Sequence, residues 1–452
     1  MEITSEASGV NSYAIENEGS IYLQALNGGI HLAAAGGTDV TRALYSYNGS
    51  VQLIADSDIF LEARGNSKID TSGVFAFYNG KNEEGKAAFS LIGKSITIEA
   101  QNNSGVSYGV YAQESDVDIN ADYFSKVNSS TYGLFSYSVD KLNSFNLNLT
   151  SSSNFVEAGV AALYSSGVNS NINLEATGLN SVIDEKTGEN LSGKNIINSQ
   201  QNGVWTQKSG KITLSATDGN YINTPSYAVL AETGEILLKS ENGLNKVESA
   251  NSYGTIRTIG ANSVITLDTT SQNDSNLKGS NYVTGITGFW AQGGTLNLNA
   301  VEGNYLDVSS NGLFLDQSGA AILNVTNGVN RIEAGTLTET EGTASGSASA
   351  IELYSNSVAE LNSPLGNNEI FGTISIKTGN NSKLSLNATN NLVSATKDTV
   401  SANSGLISIQ AKANDGNSGN NFIYSKYANG YGEGLAIQAL SKGSVDISAL
   451  GS

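Results

Sequence analysis

The chain has no cysteine, so disulfides and thiolate metal sites are excluded. That lack also fits a polypeptide exported unfolded through an oxidising periplasm. It has a single histidine, His31, inside the alternating stretch Gly29-Ile30-His31-Leu32. A zinc site or a histidine-based catalytic site therefore has little to work with, and His31 is expected to face solvent from a strand. Proline occurs only twice in 452 residues, and charged residues make up only 14%. The 23 basic residues are outnumbered by 42 acidic ones, giving a net charge of −19 that would repel a polyanion, so no nucleic acid partner is expected. No apolar run approaches the roughly 20 residues of a membrane-spanning helix. The start, Met1-Glu2-Ile3-Thr4, has neither a basic region nor an apolar core and does not read as a signal peptide. An exported protein would on this reading be a piece of a longer precursor.

What is abundant is glycine (50 residues), asparagine, serine and threonine, mixed with β-branched residues and 20 tyrosines, a composition that favours strands separated by turns over disorder. Internal repetition then sets the fold class. One segment reads small, apolar, often aromatic, usually small. It appears as Gly73-Val74-Phe75-Ala76, Gly109-Val110-Tyr111-Ala112, Gly133-Leu134-Phe135-Ser136, Gly203-Val204-Trp205-Thr206, Gly288-Phe289-Trp290-Ala291 and Gly312-Leu313-Phe314-Leu315. Looser copies begin at Ala14, Ala43, Gly159, Ala228, Gly254, Ala350, Gly372, Gly405 and Gly434, which makes fifteen with starts 22 to 44 residues apart.

A second segment alternates strictly, as in Ile96-Thr97-Ile98-Glu99-Ala100, Val117-Asp118-Ile119-Asn120-Ala121, Ile172-Asn173-Leu174-Glu175-Ala176 and Leu384-Ser385-Leu386-Asn387-Ala388. Such period-two alternation marks a half-buried strand. A third, Asn-x-apolar, closes the unit at Asn154, Asn220, Asn245, Asn304, Asn330, Asn368, Asn391 and Asn421. Asparagine tolerates the left-handed backbone of a sharp corner, which offers a reason for its fixed place. Three short strands per unit of about 25 residues describe one coil of a three-sided parallel β-helix. Each strand would pair with its counterpart in the next coil, because one coil cannot bury its own apolar face. The expectation is one solenoid of about fifteen coils across residues 1–452, right-handed by the default for parallel crossovers. Polar insertions near 79–86, 178–194, 269–281 and 335–349 should leave it as loops.

Chemistry is harder to find. No Gly-x-Ser-x-Gly elbow supports a serine hydrolase built on His31. The close acidic pairs Asp56/Asp58 and Asp116/Asp118 have no Arg or Lys on the same segment, which is what a pectate-lyase-like or pectinase-like β-helix would use. No repeated Gly-Gly-x-Gly-x-Asp motif suggests calcium. No catalytic residue, metal or cofactor is therefore expected, and a polysaccharide-degrading β-helix is the alternative.

The aromatic position is more informative. Tyr45, Phe75, Tyr111, Phe135, Trp205, Trp290 and Phe314 occupy it in seven of the fifteen copies and are the candidate ligand-binding residues. Neighbouring strand residues face opposite sides, so the aromatic and Val/Leu columns cannot both line the core. Glu16 and Glu352 at the aromatic position favour an outward column. The 150–250 Å² each ring has to bury favours an inward one, and that plainer outcome would move binding to the insertions and to the polar face of the second strand.

Together the three segments, from about Ser12 to Ala449, resemble the passenger domains of bacterial autotransporter adhesins. The likeness is architectural, and filamentous haemagglutinin-like exoproteins share it. It implies a right-handed β-helix secreted by a Gram-negative cell and kept at the cell surface by a separate β-barrel, its only link to a membrane. It also implies adhesion to host or bacterial cell-surface glycans or proteins, or self-association, without catalysis.

Overall fold

In each alternating segment the apolar residues have one common destination. Ile172 and Leu174 are buried while Asn173 between them is half-buried, and the same holds for Leu296, Leu298 and Asn297. A computed structural model describes the chain except residues 8–9, 81–86, 271–278, 336–347, 413–418, 426–435 and 451–452. Among the described residues there is no helix, and the strands belong to a parallel β-helix in which each strand hydrogen-bonds its counterpart one coil away. Two compact units form, Met1–Pro225 with Gly234–Lys239, and Ser226–Thr233 with Ser240–Ser452.

In the first unit, seven strands stack in register on the first face. They are Asn11–Asn17, Val40–Tyr47, Asp70–Phe77, Val106–Gln113, Tyr132–Tyr137, Ala161–Ser166 and Asn202–Gln207. The second unit repeats the arrangement from Val229–Glu232 to Ile437–Leu440. The strand Val358–Gly379 runs through all three faces, with register shifts between Ser363 and Asn367 and between Gly372 and Ile374 where it turns.

Glycine in the first-face repeat answers to close packing. A Cβ on Gly109 would lie 2.2 Å from Val127 Cγ1 and 2.7 Å from the Gly133 carbonyl. One on Gly133 would lie 2.5 Å from Val156 Cγ1 and from the Ala162 carbonyl. At Gly109 and Gly133 the small residue faces the third-face core and a Cβ would clash, whereas other coils accommodate Ala162, Thr255 or Ser375 at the same position.

The third-face asparagines are not corner residues. None of the eight named above is among the residues with positive φ, whereas the turn residues Asn27, Asn48, Asn169 and Asn380 are. The eight point inward instead. In the first unit Asn154 donates to Asn195 at 2.8 Å and Asn195 to Asn220 at 2.9 Å. In the second, Asn245, Asn281, Asn304, Asn330, Asn368, Asn391 and Asn421 form one continuous chain of side-chain amide bonds of 2.9–3.0 Å. All but Asn421 are fully buried, and the second amide hydrogen goes to a backbone carbonyl, as from Asn304 to Asn324 at 3.1 Å. A buried amide must be satisfied, and stacking one coil on the next satisfies it with an identical group.

Register corrects several repeat assignments. The segment Ile96–Ala100 pairs with Ile59–Ala63 on the third face, not the second. The copy taken from Gly159 begins at Ala162, those at Gly254 and Gly372 begin at Thr255 and Ser375, and Gly405 leads into a second-face strand. The copy at Gly434 starts outside the described residues. Of the four insertions only 178–194 is described throughout. It is a tight hairpin with an Ile183–Asn190 bridge, and Asp184 accepts from the Lys186 and Thr187 amides at its turn. Those amide bonds, Lys186's first, hold the Asp184 carboxyl below its usual range.

Candidate functional site: an outward aromatic face

The apolar residue before each aromatic is the one that lines the core. Leu44, Val74, Val110, Leu134, Leu163, Val204 and Leu313 are 0% exposed, and Phe289 is 1% exposed. The aromatic column therefore points outward, against the plainer expectation from ring area. Its rings are half-buried because they cover one another. Ring area is buried here between neighbouring rings rather than in the core. In-register strands lie about 4.8 Å apart, close to the spacing of stacked rings.

Five of the seven candidates share the first unit. Tyr45, Phe75, Tyr111 and Phe135 make a continuous run with centroid spacings of 5.8, 4.4 and 5.2 Å. Tyr164 continues it at 4.8 Å from Phe135 and reaches Trp205 at 4.6 Å. Tyr164 lies outside the sequence candidates because a copy starting at Gly159 runs three residues early, although Ala162-Leu163-Tyr164-Ser165 carries the full pattern. Beside the run stand Tyr13, Tyr108 and Tyr132, which lie outside the four-residue motif.

Geometry limits what these rings can do. Tyr111 is nearly parallel to both neighbours, at 16° to Phe75 and 12° to Phe135. Both of its faces are covered, so it presents an edge, and no sugar ring can stack on it. Burial pushes the Tyr111 phenol up to about 12, and its hydroxyl donates to Gln113 Oε1 at 2.7 Å. Beside the start of the run, with Arg42 in the column of Tyr13 and Tyr108, lies a buried ion pair. Arg42 donates to Asp70 from Nε and Nη2, at 2.9 and 2.7 Å, and its guanidinium sits 3.5 Å from the Phe75 ring centre. The four strands from Val106–Gln113 to Asn202–Gln207 carry no charged residue at all.

The other two candidates, Trp290 and Phe314, lie in the second unit in a different setting. Arg257 packs 5.0 Å over the Trp290 ring and donates to Tyr227 and Gln292. Phe314 meets Trp290 edge-on at 5.3 Å, and the column continues through Glu352 to Lys377, which pair at 2.9 Å. The seven candidates thus fall into a first-unit face whose last four strands carry no charge and a mixed aromatic–ionic face in the second unit.

The other residues singled out have plain partners. His31 does face outward between buried Ile30 and Leu32, and it stacks on Phe60 at 4.9 Å. Asp116 accepts from Asn146 and Asp118 from Asn148, each heading an outward amide column continued by Asn171 and Asn173. Asp56 accepts the Asn27 amide at 3.0 Å. Among the described residues no group of three or more His, Asp or Glu could hold a metal ion. Comparison with family models, with curated proteins and with solved structures finds no match.

Proposed function

We propose that this chain is the extracellular, adhesive part of a bacterial surface protein, and that it attaches through the aromatic face of its first unit. The observation that carries this reading is that the four stacked first-face strands from Val106–Gln113 to Asn202–Gln207 carry no charge and turn half-buried rings outward, on a protein of net charge −19. Aromatic patches of this kind are rare on surfaces that meet only water. The covered faces of Tyr111 favour a partner that packs across a rib of ring edges, such as a protein or a densely glycosylated surface on a host or bacterial cell. The resemblance of the repeat to autotransporter passengers supports a location outside a Gram-negative cell, with a separate β-barrel as anchor.

The test is binding of the purified chain to host and bacterial cells, with Phe135→Glu as the variant. A charge in the middle of the face should abolish attachment while circular dichroism still reports the folded β-helix and the melting temperature falls only modestly, through the lost contacts with Tyr111 and Tyr164. Attachment should also survive raised salt, because the four strands around Phe135 carry no charge to screen. Unchanged adhesion by a folded Phe135→Glu chain would defeat the reading. Sedimentation of the chain alone separates attachment to cells from pairing with itself.

A further inference from the structure

The third face of the second unit carries a groove of about 250 Å³ lined by Tyr282, Tyr305, Leu306, Asp307, Arg331 and Glu333. Parallel register builds it: Lys246, Tyr282, Tyr305, Arg331 and Glu369 form one outward column, and Glu248, Thr284, Asp307 and Glu333 the next. Tyr282 and Tyr305 stand 6.2 Å apart with their planes at 52°, so neither fully covers the other, unlike the stacked rings of the first unit. Gly303 makes room for this, since a Cβ there would lie 2.4 Å from the Tyr305 ring.

The charges around the groove do not balance. Lys246 is held by Glu248 at 2.8 Å. Arg331 is held by Glu333 at 2.8 Å and by Glu369 at 3.6 Å, and it packs 5.2 Å over Phe371. Two bases thus face four acids, Glu248, Asp307, Glu333 and Glu369. Asp307 is exposed, and what reaches it is the Tyr282 hydroxyl at 3.3 Å. A surplus carboxylate in the column beside two phenol rings suits a positive charge. Ring faces attract cations through their quadrupole, and the carboxylate adds direct attraction.

We propose that this groove is a binding site for an organic ammonium group, seated between Tyr282 and Tyr305 and paired with Asp307. It is separate from the aromatic face of the first unit and does not depend on the adhesive reading. Arg331 acts as a positioning residue that holds Glu333 at the rim. The ammonium can come from a small quaternary amine or from a lysine-type side chain, and the same chemistry serves both.

Isothermal titration of the whole chain tests this with three probes: choline, Nα-acetyl-lysine amide with its side-chain ammonium free, and 3,3-dimethylbutan-1-ol, the uncharged carbon isostere of choline. At least one of the two ammonium probes should bind saturably at millimolar concentration, and which of them does identifies the source. The isostere should not bind. Asp307→Asn, an isosteric change at an exposed position, should weaken binding about three- to ten-fold. Tyr305→Leu should weaken it similarly, checked against an unchanged dichroism spectrum. Three results would each overturn the proposal: equal binding of the isostere, undiminished binding by Asp307→Asn, or no saturation with either ammonium. Loss of cell attachment by Phe135→Glu with intact ammonium binding would leave this site standing on its own.

Discussion

A single asparagine per coil shows how residue chemistry and coil stacking depend on each other. Asn304 accepts from Asn281 and donates to Asn330 in a fully buried row, so its removal leaves a donor below and an acceptor above without partners. Each orphaned buried group costs about 1–3 kcal/mol. Asn304→Ala should therefore destabilise the second unit by roughly 2–6 kcal/mol, read by denaturant titration and by faster amide exchange in the neighbouring coils. A loss below about 1 kcal/mol would mean the ladder is incidental.

Tyr111 gives a pH prediction at the same scale. Its phenol is raised from 10.0 to about 12 by burial, so above pH 10 the folded state holds a proton that the unfolded state releases. Its contribution is fully present below pH 10 and lost as pH rises through about 12. Alkaline melting should show stability falling in that window, with a shallower fall in Tyr111→Phe. Identical slopes would count against the assignment.

At the scale of elements, the first-face strands differ from the other two kinds in what lies outside them. Rings stacked coil on coil replace the polar residues of the second face, and the buried Arg42–Asp70 pair lies where the run begins. Asp70 also accepts from Ser72 at 3.0 Å. Arg42→Met would leave the Asp70 carboxylate buried without its partner and should cost about 3–5 kcal/mol. Adding Asp70→Asn should recover much of that loss, because the uncompensated charge is then gone. A double variant as unstable as the single one would show that the guanidinium matters mainly through its packing on Phe75. The pair was missed in the sequence because its members are 28 residues apart and meet only through coil stacking.

For the whole molecule, coil phase matters more than length. Residues 132–160 make one full turn in the first unit, starting at a first-face strand and ending where Ala161 takes the same register as Tyr132. Deleting them joins Thr131 to Ala161 and keeps every later strand on its own face. Stability in such solenoids is roughly a sum over repeats and their interfaces, so this deletion should leave a folded, slightly less stable chain. Deleting only residues 132–144 removes a first-face strand and puts the following coils out of phase. That variant should lose its cooperative melt, and an equal melt for the two would argue against face-specific stacking.

The sequence by itself determined the parallel β-helix. Period-two alternation, three segment types and their recurrence are properties of the chain alone, and only coil stacking buries all of those apolar columns at once. It also placed Tyr45, Phe75, Tyr111, Phe135 and Trp205 in one column, because a motif repeated per coil must align. Tertiary structure decided the rest, since each remaining question turned on what lies one coil away. Whether the rings face out depended on their covering each other, as Tyr111 is covered by Phe75 and Phe135. The role of Asn304 depended on finding Asn281 and Asn330 at hydrogen-bond distance. The groove at Asp307 depended on Arg331 being already held by Glu333 and Glu369. A linear pattern records which residues recur, but not which partners have taken up their faces, amides and charges.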